Sequence, residues 1–192
     1  MSQIKKVTCH VVSAPVQKPF TSSRGWIYKT RGSCIVEIET NDGIVGWGEC
    51  YGPSTVAKAF IDTQFGPRVI GRDPFDVEVI WEDLYNRIKD YGTTGMAISA
   101  ISGIDIALWD IIGKSCGKPI HKLIGGSYRD EVTPYATGLY FIDMDRLIEE
   151  AVEEAIEFKQ NGFTAIKMKI GLGDLRLDIR RVEAVRKAVG DD

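Results

Sequence analysis

The chain has 192 residues, 44% hydrophobic and 27% charged, with a formal net charge of −3. Those proportions describe a globular chain able to bury a sizeable core, and its dispersed basic residues exclude nucleic acid as the main partner. Cys9, Cys34, Cys50 and Cys116 show no Cys-x-x-Cys spacing, so neither zinc nor a redox motif is indicated, and free thiols suit a reducing, cytoplasmic setting.

The N-terminus, Met1-Ser2-Gln3-Ile4-Lys5-Lys6-Val7, lacks the apolar core of a signal peptide. No run of eighteen apolar residues is present, so no membrane span is expected. Ile4 to Val12 reads as a strand. Residues 18–30 break the pattern and read as a polar loop carrying Phe20, Arg24, Trp26 and Tyr28. Ser33 to Thr40 alternates as a strand, Asn41-Asp42-Gly43 supplies a hairpin turn, and Ile44 to Trp47 returns. A three-stranded antiparallel sheet follows from that order.

Helices come next. Pro53-Ser54 opens one that reaches about Ile70, and Asp73-Pro74 opens a second that ends at Ile88, with proline at its first position. A long third helix runs from Thr94 to Lys114, its isoleucines at helical spacing. Then the pattern changes. Val132 to Thr137 reads as a strand, Met144 to Gln160 as a helix, Ala165 to Ile170 as a strand and Leu175 to Val189 as a helix. An α+β part followed by alternating β and α elements describes two architectures. The expected division is 1–127 and 128–192, within the connector Gly125 to Asp130.

The most telling stretch is Ile166-Lys167-Met168-Lys169-Ile170-Gly171. Side chains alternate along a strand, so Lys167 and Lys169 share one face and the apolar residues the other. Parallel strands between helices are normally covered on both faces, which makes charge there costly. Two ammonium groups about 6.6 Å apart repel by roughly 2.5 kcal/mol at an effective dielectric near 20. That repulsion favours a neutral amine, the form a general base needs. The bland alternative is an amphipathic strand whose lysine face is simply wet.

Three further segments carry a resemblance. They are Gly46-Trp47-Gly48-Glu49 after the hairpin, Ser102-Gly103-Ile104-Asp105-Ile106-Ala107-Leu108-Trp109-Asp110 in the long helix, and Gly117-Lys118-Pro119 through Gly125-Gly126 after it. With the lysine strand, in this order and spacing, they resemble the mandelate racemase/muconate-lactonizing branch of the enolase superfamily over essentially the whole chain. The resemblance implies an α+β capping domain on a modified TIM (β/α) barrel. It also implies a Mg²⁺-stabilised enolate formed next to a carboxylate, a small carboxylate substrate such as an acid sugar, and a homo-oligomer. No nucleic acid or membrane partner is implied.

Lys169 takes the role of base, since the family uses the second lysine of the pair. Lys167 then holds the substrate carboxylate. Thr137, near the end of the first barrel strand, is a substrate-contact candidate, while Tyr135 reads as packing. The 18–30 segment is similar to the family's closing loop, which makes Trp26 and Arg24 candidates, although a solvated loop cation explains Arg24 equally well. Tyr51 is a candidate on a second capping loop. Glu49, Asp105 and Asp110 read as structural hydrogen-bonding groups, and His10 and His121 lack partner motifs. Gly171-Leu172-Gly173 lacks the third glycine of a dinucleotide loop.

A barrel needs eight strands and about 250 residues, and two strands are in view. The expectation is therefore the N-terminal part of an enzyme of roughly 370 to 400 residues, its metal ligands past residue 192 and this part alone inactive. Sugar-acid dehydration leads among the reactions, followed by racemisation or epimerisation and cycloisomerisation. Outside that class stand a non-catalytic capping or interaction module, and an unrelated barrel enzyme using a lysine Schiff base.

Overall fold

The computed structural model describes residues 2–23 and 26–191, with nothing said of the Ser23 side chain. It divides into two compact units, Met1–Ala14 with Gly32–Tyr128 and Pro15–Arg31 with Arg129–Asp192. The segment 15–31, which the sequence places inside 1–127, groups with the second unit.

Three strands form the sheet in the order β1 (Ile4–Ser23), β2 (Trp26–Thr40), β3 (Val45–Cys50). β2 and β3 pair antiparallel with Cys34 opposite Cys50 and Glu39 opposite Val45. The described residues of this segment, 18–23 and 26–30, are thus strand rather than the polar loop expected. Phe20, Thr21, Trp26, Ile27 and Tyr28 are aromatic or β-branched strand formers. Pro15 and Pro19 are tolerated because β1 is an edge strand.

In the first unit, α1 (Ser54–Phe60) passes through a π-helical turn, Ile61–Phe65, into α2 (Gly66–Val69). The second helix, α3 (Val77–Arg87), starts later than expected. The Asp73 carboxylate accepts from the Phe75 amide at 2.9 Å and its carbonyl from the Asp76 amide at 3.1 Å, which makes Asp73-Pro74 a turn. α4 (Met96–Cys116) begins after Gly95, whose backbone is not helical (φ 71°), and ends on Gly117 in the left-handed conformation. By length and composition alone α4 is apolar enough to cross a membrane. Ten of its residues are nevertheless buried in the unit's core with Val36, Ile38, Phe65 and Leu84, so it is the core helix of this unit. The short α5 (Ile120–Leu123) follows.

The glycines of the Gly46-Trp47-Gly48-Glu49 segment explain how β3 meets α4. A Cβ on Gly46 would lie 2.1 Å from the Ala107 carbonyl oxygen. Trp47 donates its amide to the Asp110 carboxylate at 2.8 Å, and Lys114 bridges that carboxylate (2.6 Å) and the Val45 carbonyl (2.7 Å). Ser33 donates to Glu49 at 2.6 Å.

The second unit holds two βα pairs: β4 (Ala136–Thr137), α6 (Leu147–Gln160), β5 (Ile166–Lys167) and α7 (Leu175–Val189). β4 and β5 are parallel, Ala136 opposite Ile166 and Thr137 opposite Lys167. Both are far shorter than the six-residue strands expected. α6 starts at Leu147 rather than Met144, because Asp143 accepts from the Asp145 amide with its side chain and from the Arg146 amide with its carbonyl. Leu139, Ala151, Ala155 and Val185 form the core, with Ile166 and Met168 packed against it.

Candidate active site

β5 and the two residues after it alternate apolar side chains and lysines. Ile166 and Met168 join the core between α6 and α7, so Lys167 and Lys169 occupy the other face. Ile170 is exposed, past the end of the strand. Because Thr137 lies opposite Lys167 in a parallel register, it shares the lysine face. The Gly138 amide reaches the Lys167 carbonyl at 3.2 Å and fixes that register one step further.

Each ammonium sits over a tyrosine ring. Lys167 Nζ is 5.6 Å from the Tyr135 ring centre, and Lys169 Nζ is 5.6 Å from that of Tyr140. Lys167 is exposed and Lys169 half-buried. Among the described residues β4 and β5 are the two strands of this sheet, and two strands do not close the interior in which the sequence places both lysines. Tyr135, which the sequence assigns to packing, lies beneath the Lys167 ammonium.

From Tyr140 an aromatic row leads into the β1–β2 hairpin arm. Thr21 and Phe141 exchange backbone hydrogen bonds of 2.9 and 3.0 Å, which pin the arm. Phe20 then lies 4.5 Å from the Tyr140 ring and stacks on Tyr28 at 5.0 Å, and Trp26 is 6.1 Å from Tyr28. Arg31 covers Tyr28 and Phe20, at 4.7 and 5.3 Å. Trp26 is therefore joined to Lys169 through three rings and remains 58% exposed. Arg24 lies outside the described residues. Tyr51 belongs to the first unit, where its side chain is exposed and its carbonyl accepts from the Ser99 hydroxyl.

Behind the lysines, Leu139 is fully buried in the left-handed region at φ 53°, a conformation that costs a non-glycine residue about 1–3 kcal/mol. Its amide donates to Glu154 at 2.8 Å. Burial pushes the Glu154 carboxyl above its ordinary range, the Leu139 amide opposing. Leu139, Tyr140 and the buried Arg181 are site residues the sequence reading missed.

The N-terminal-domain model of mandelate racemase and muconate lactonizing enzyme matches residues 5–125, and the enolase C-terminal-domain-like model matches residues 149–192. The chain belongs to the mandelate racemase/muconate lactonizing enzyme family. It is similar to D-galactarolactone cycloisomerase of Agrobacterium fabrum, with 44% identity over 191 residues, covering 99% of this chain and 50% of the relative. Among solved structures it is similar to 3,6-anhydro-D-galactonate cycloisomerase of Zobellia galactanivorans (42% identity, TM-score 0.84, 98% of this chain and 48% of that one). It also resembles L-talarate/galactarate dehydratase of Salmonella typhimurium LT2 liganded with Mg and L-lyxarohydroxamate (31%, TM-score 0.87, 100% and 50%). The chain spans about half the length of the curated relatives it matches. The part matched over residues 5–125 is accordingly the family's capping domain, and the two βα pairs are the start of its TIM barrel.

In this family member no group of three or more His, Cys, Asp or Glu side chains gathers to hold a metal among the described residues. The described residues do not by themselves fit a Mg²⁺ site.

Proposed function

We propose that the enzyme carrying this chain removes the proton α to the carboxylate of an acid sugar, with Lys169 as base and Lys167 holding the carboxylate. The observation that carries the reading is the common face of Thr137, Lys167 and Lys169 at the C-terminal ends of two parallel barrel strands, the end at which such barrels do chemistry. Lys167 is the exposed cation of the pair and can meet an anion directly. Lys169, half-covered by Tyr140, is held where its nitrogen can take a proton. Trp26, on the arm and joined to Tyr140 through Tyr28 and Phe20, would close over the substrate.

Once the α-proton is gone, the electron pair can expel an oxygen on the next carbon. In an open acid sugar that oxygen leaves as water, so dehydration is the leading reaction. A second reading, cycloisomerisation, is favoured by the two cycloisomerases that match at 44% and 42% identity. There the same oxygen belongs to a ring, which opens instead of releasing water. Magnesium belongs to this proposal through the Mg-liganded dehydratase, with ligands outside the residues described. We place the reaction in the cytoplasm, which the free cysteines support.

The deciding experiment follows deuterium incorporation at the α-carbon of a library of acid sugars, lactones and anhydro acids, using the full-length enzyme with Mg²⁺. Lys169→Ala should lower exchange by at least about 100-fold, the scale of a general base. Exchange that survives Lys169→Ala would refute the assignment of the base. Release of a 2-keto-3-deoxy acid from an open acid sugar identifies dehydration; the same product from a ring substrate identifies cycloisomerisation.

A further inference from the structure

Helix α7 buries two charged side chains one turn apart, Asp178 and Arg181, while its apolar Ile179 and Val182 are exposed. Arg181 is wholly buried, and all three guanidinium nitrogens donate to backbone carbonyls. Nε reaches Leu147 at 3.0 Å, Nη1 reaches Lys169 at 2.8 Å and Nη2 reaches Leu139 at 3.0 Å. The Phe141 ring centre lies 4.4 Å from its Cζ. Burial pushes the Arg181 guanidinium down from its usual value, opposed by the charges of Asp178 and Glu154.

Asp178 grips the same strand end. Its Oδ2 accepts from the Gly171 amide at 2.8 Å, and its Oδ1 is buried without a hydrogen-bond partner among the described residues. One residue of the pair thus holds the carbonyl of Lys169 and the other the amide two residues on. Leu139 lies two residues past β4, Lys169 two past β5, and Leu147 opens α6, so a single guanidinium ties the segments that leave both barrel strands to the helix between them.

Packing alone does not call for this arrangement. A buried cation without a hydrogen-bonded carboxylate is costly, and apolar residues of similar volume usually serve stability at least as well. What a planar guanidinium adds is a rigid fork that fixes three acceptors in one geometry, which neither a lysine nor an apolar side chain reproduces. The three acceptors are backbone atoms of the segments that carry Lys169 and Tyr140, and displacing a reacting group by about 1 Å can cost 100-fold in rate.

We propose that Arg181 and Asp178 are positioning residues for the base: by fixing the backbone at Lys169 and Gly171 they aim the Lys169 amine at the substrate. This rests on the assignment of Lys169 as base. In the full-length enzyme, Asp178→Asn and Arg181→Lys are compared with Lys169→Ala for thermal unfolding, KM, and kcat of α-deuterium exchange per folded molecule. The expected result is cooperative unfolding, KM within about threefold of the parent and kcat lower by about 10- to 100-fold. Asp178→Asn keeps an acceptor for Gly171 and decides the matter if Arg181→Lys does not fold. Parental kcat in the folded variants, whatever their loss in Tm, assigns the pair a structural role and overturns the proposal. So does a loss carried by KM alone. If Lys169→Ala leaves exchange intact, the base assignment fails instead, which separates the two failures.

Discussion

Gly48 and Gly103 face each other across the contact between β3 and α4, so closely that a Cβ on Gly48 would lie 2.0 Å from the Gly103 carbonyl oxygen. A Cβ on Gly103 would in turn meet the Cys50 sulfur at 2.4 Å. The atoms in the way at Gly48 are helix backbone, which no rotamer change can move aside. Gly48→Ala should therefore destabilise the capping domain by at least about 2 kcal/mol, at or beyond the middle of the range for overpacked cores. Chemical denaturation checks this. A midpoint equal to the parent's would mean the helix can shift outward freely.

How much of this was legible beforehand differs from residue to residue. Gly46-Trp47-Gly48-Glu49 stood out as a motif, and the glycine spacing of two is what a strand needs to lay one face on a helix. The order of elements was also readable, because Cys34, Val36 and Ile38 alternate and the isoleucines of α4 recur at helical spacing. The arm reads as a loop because Pro15, Pro19 and the polar residues around them break a strand pattern, which an edge strand such as β1 tolerates. Strand lengths at β4 and β5 depend on neighbours, and each has only the other to pair with here. Arg181 carried a signal that was overlooked. Stepping back from Val189 and Val185 by helical turns leads to Arg181 and Asp178, so both sit on the inward stripe of α7. Charge on an inward stripe marks a constraint that hydrophobic pattern alone does not describe.

Three thiols line up across the sheet, Cys9 on β1, Cys34 on β2 and Cys50 on β3, all buried, whereas Cys116 is exposed. Burial first, and then the neighbouring Cys34, pushes the Cys9 and Cys50 thiols up to about 12. A thiol so placed is almost never a thiolate at neutral pH, and the thiolate is the reactive form. Brief treatment with iodoacetamide at pH 8 should modify the Cys116 peptide and spare those of Cys9, Cys34 and Cys50 until the protein is denatured. Peptide mapping by mass spectrometry reads the outcome. Fast native labelling of Cys9 or Cys50 would show that the sheet opens readily at that row.

Asp105 on α4 sits in the seam with α3, beside Val77, Ile80, Trp81 and Leu84. Burial, and secondarily the charge of Glu78, raises its carboxyl above the ordinary value of 3.8. The sign of the linkage follows from that direction. A carboxyl raised by folding favours the folded state fully at pH below its unfolded value, and that contribution is lost as pH rises through the elevated folded value. Above that folded value the ionised Asp105 is therefore a liability. Asp105→Asn keeps the shape and removes the charge, so the variant should melt at a higher temperature than the parent at pH 7, and the gain should shrink as pH falls toward 4. Thermal unfolding of both proteins across pH 4 to 8 tests this. A difference in Tm that stays constant over that range would place the effect of the substitution in packing rather than in the proton.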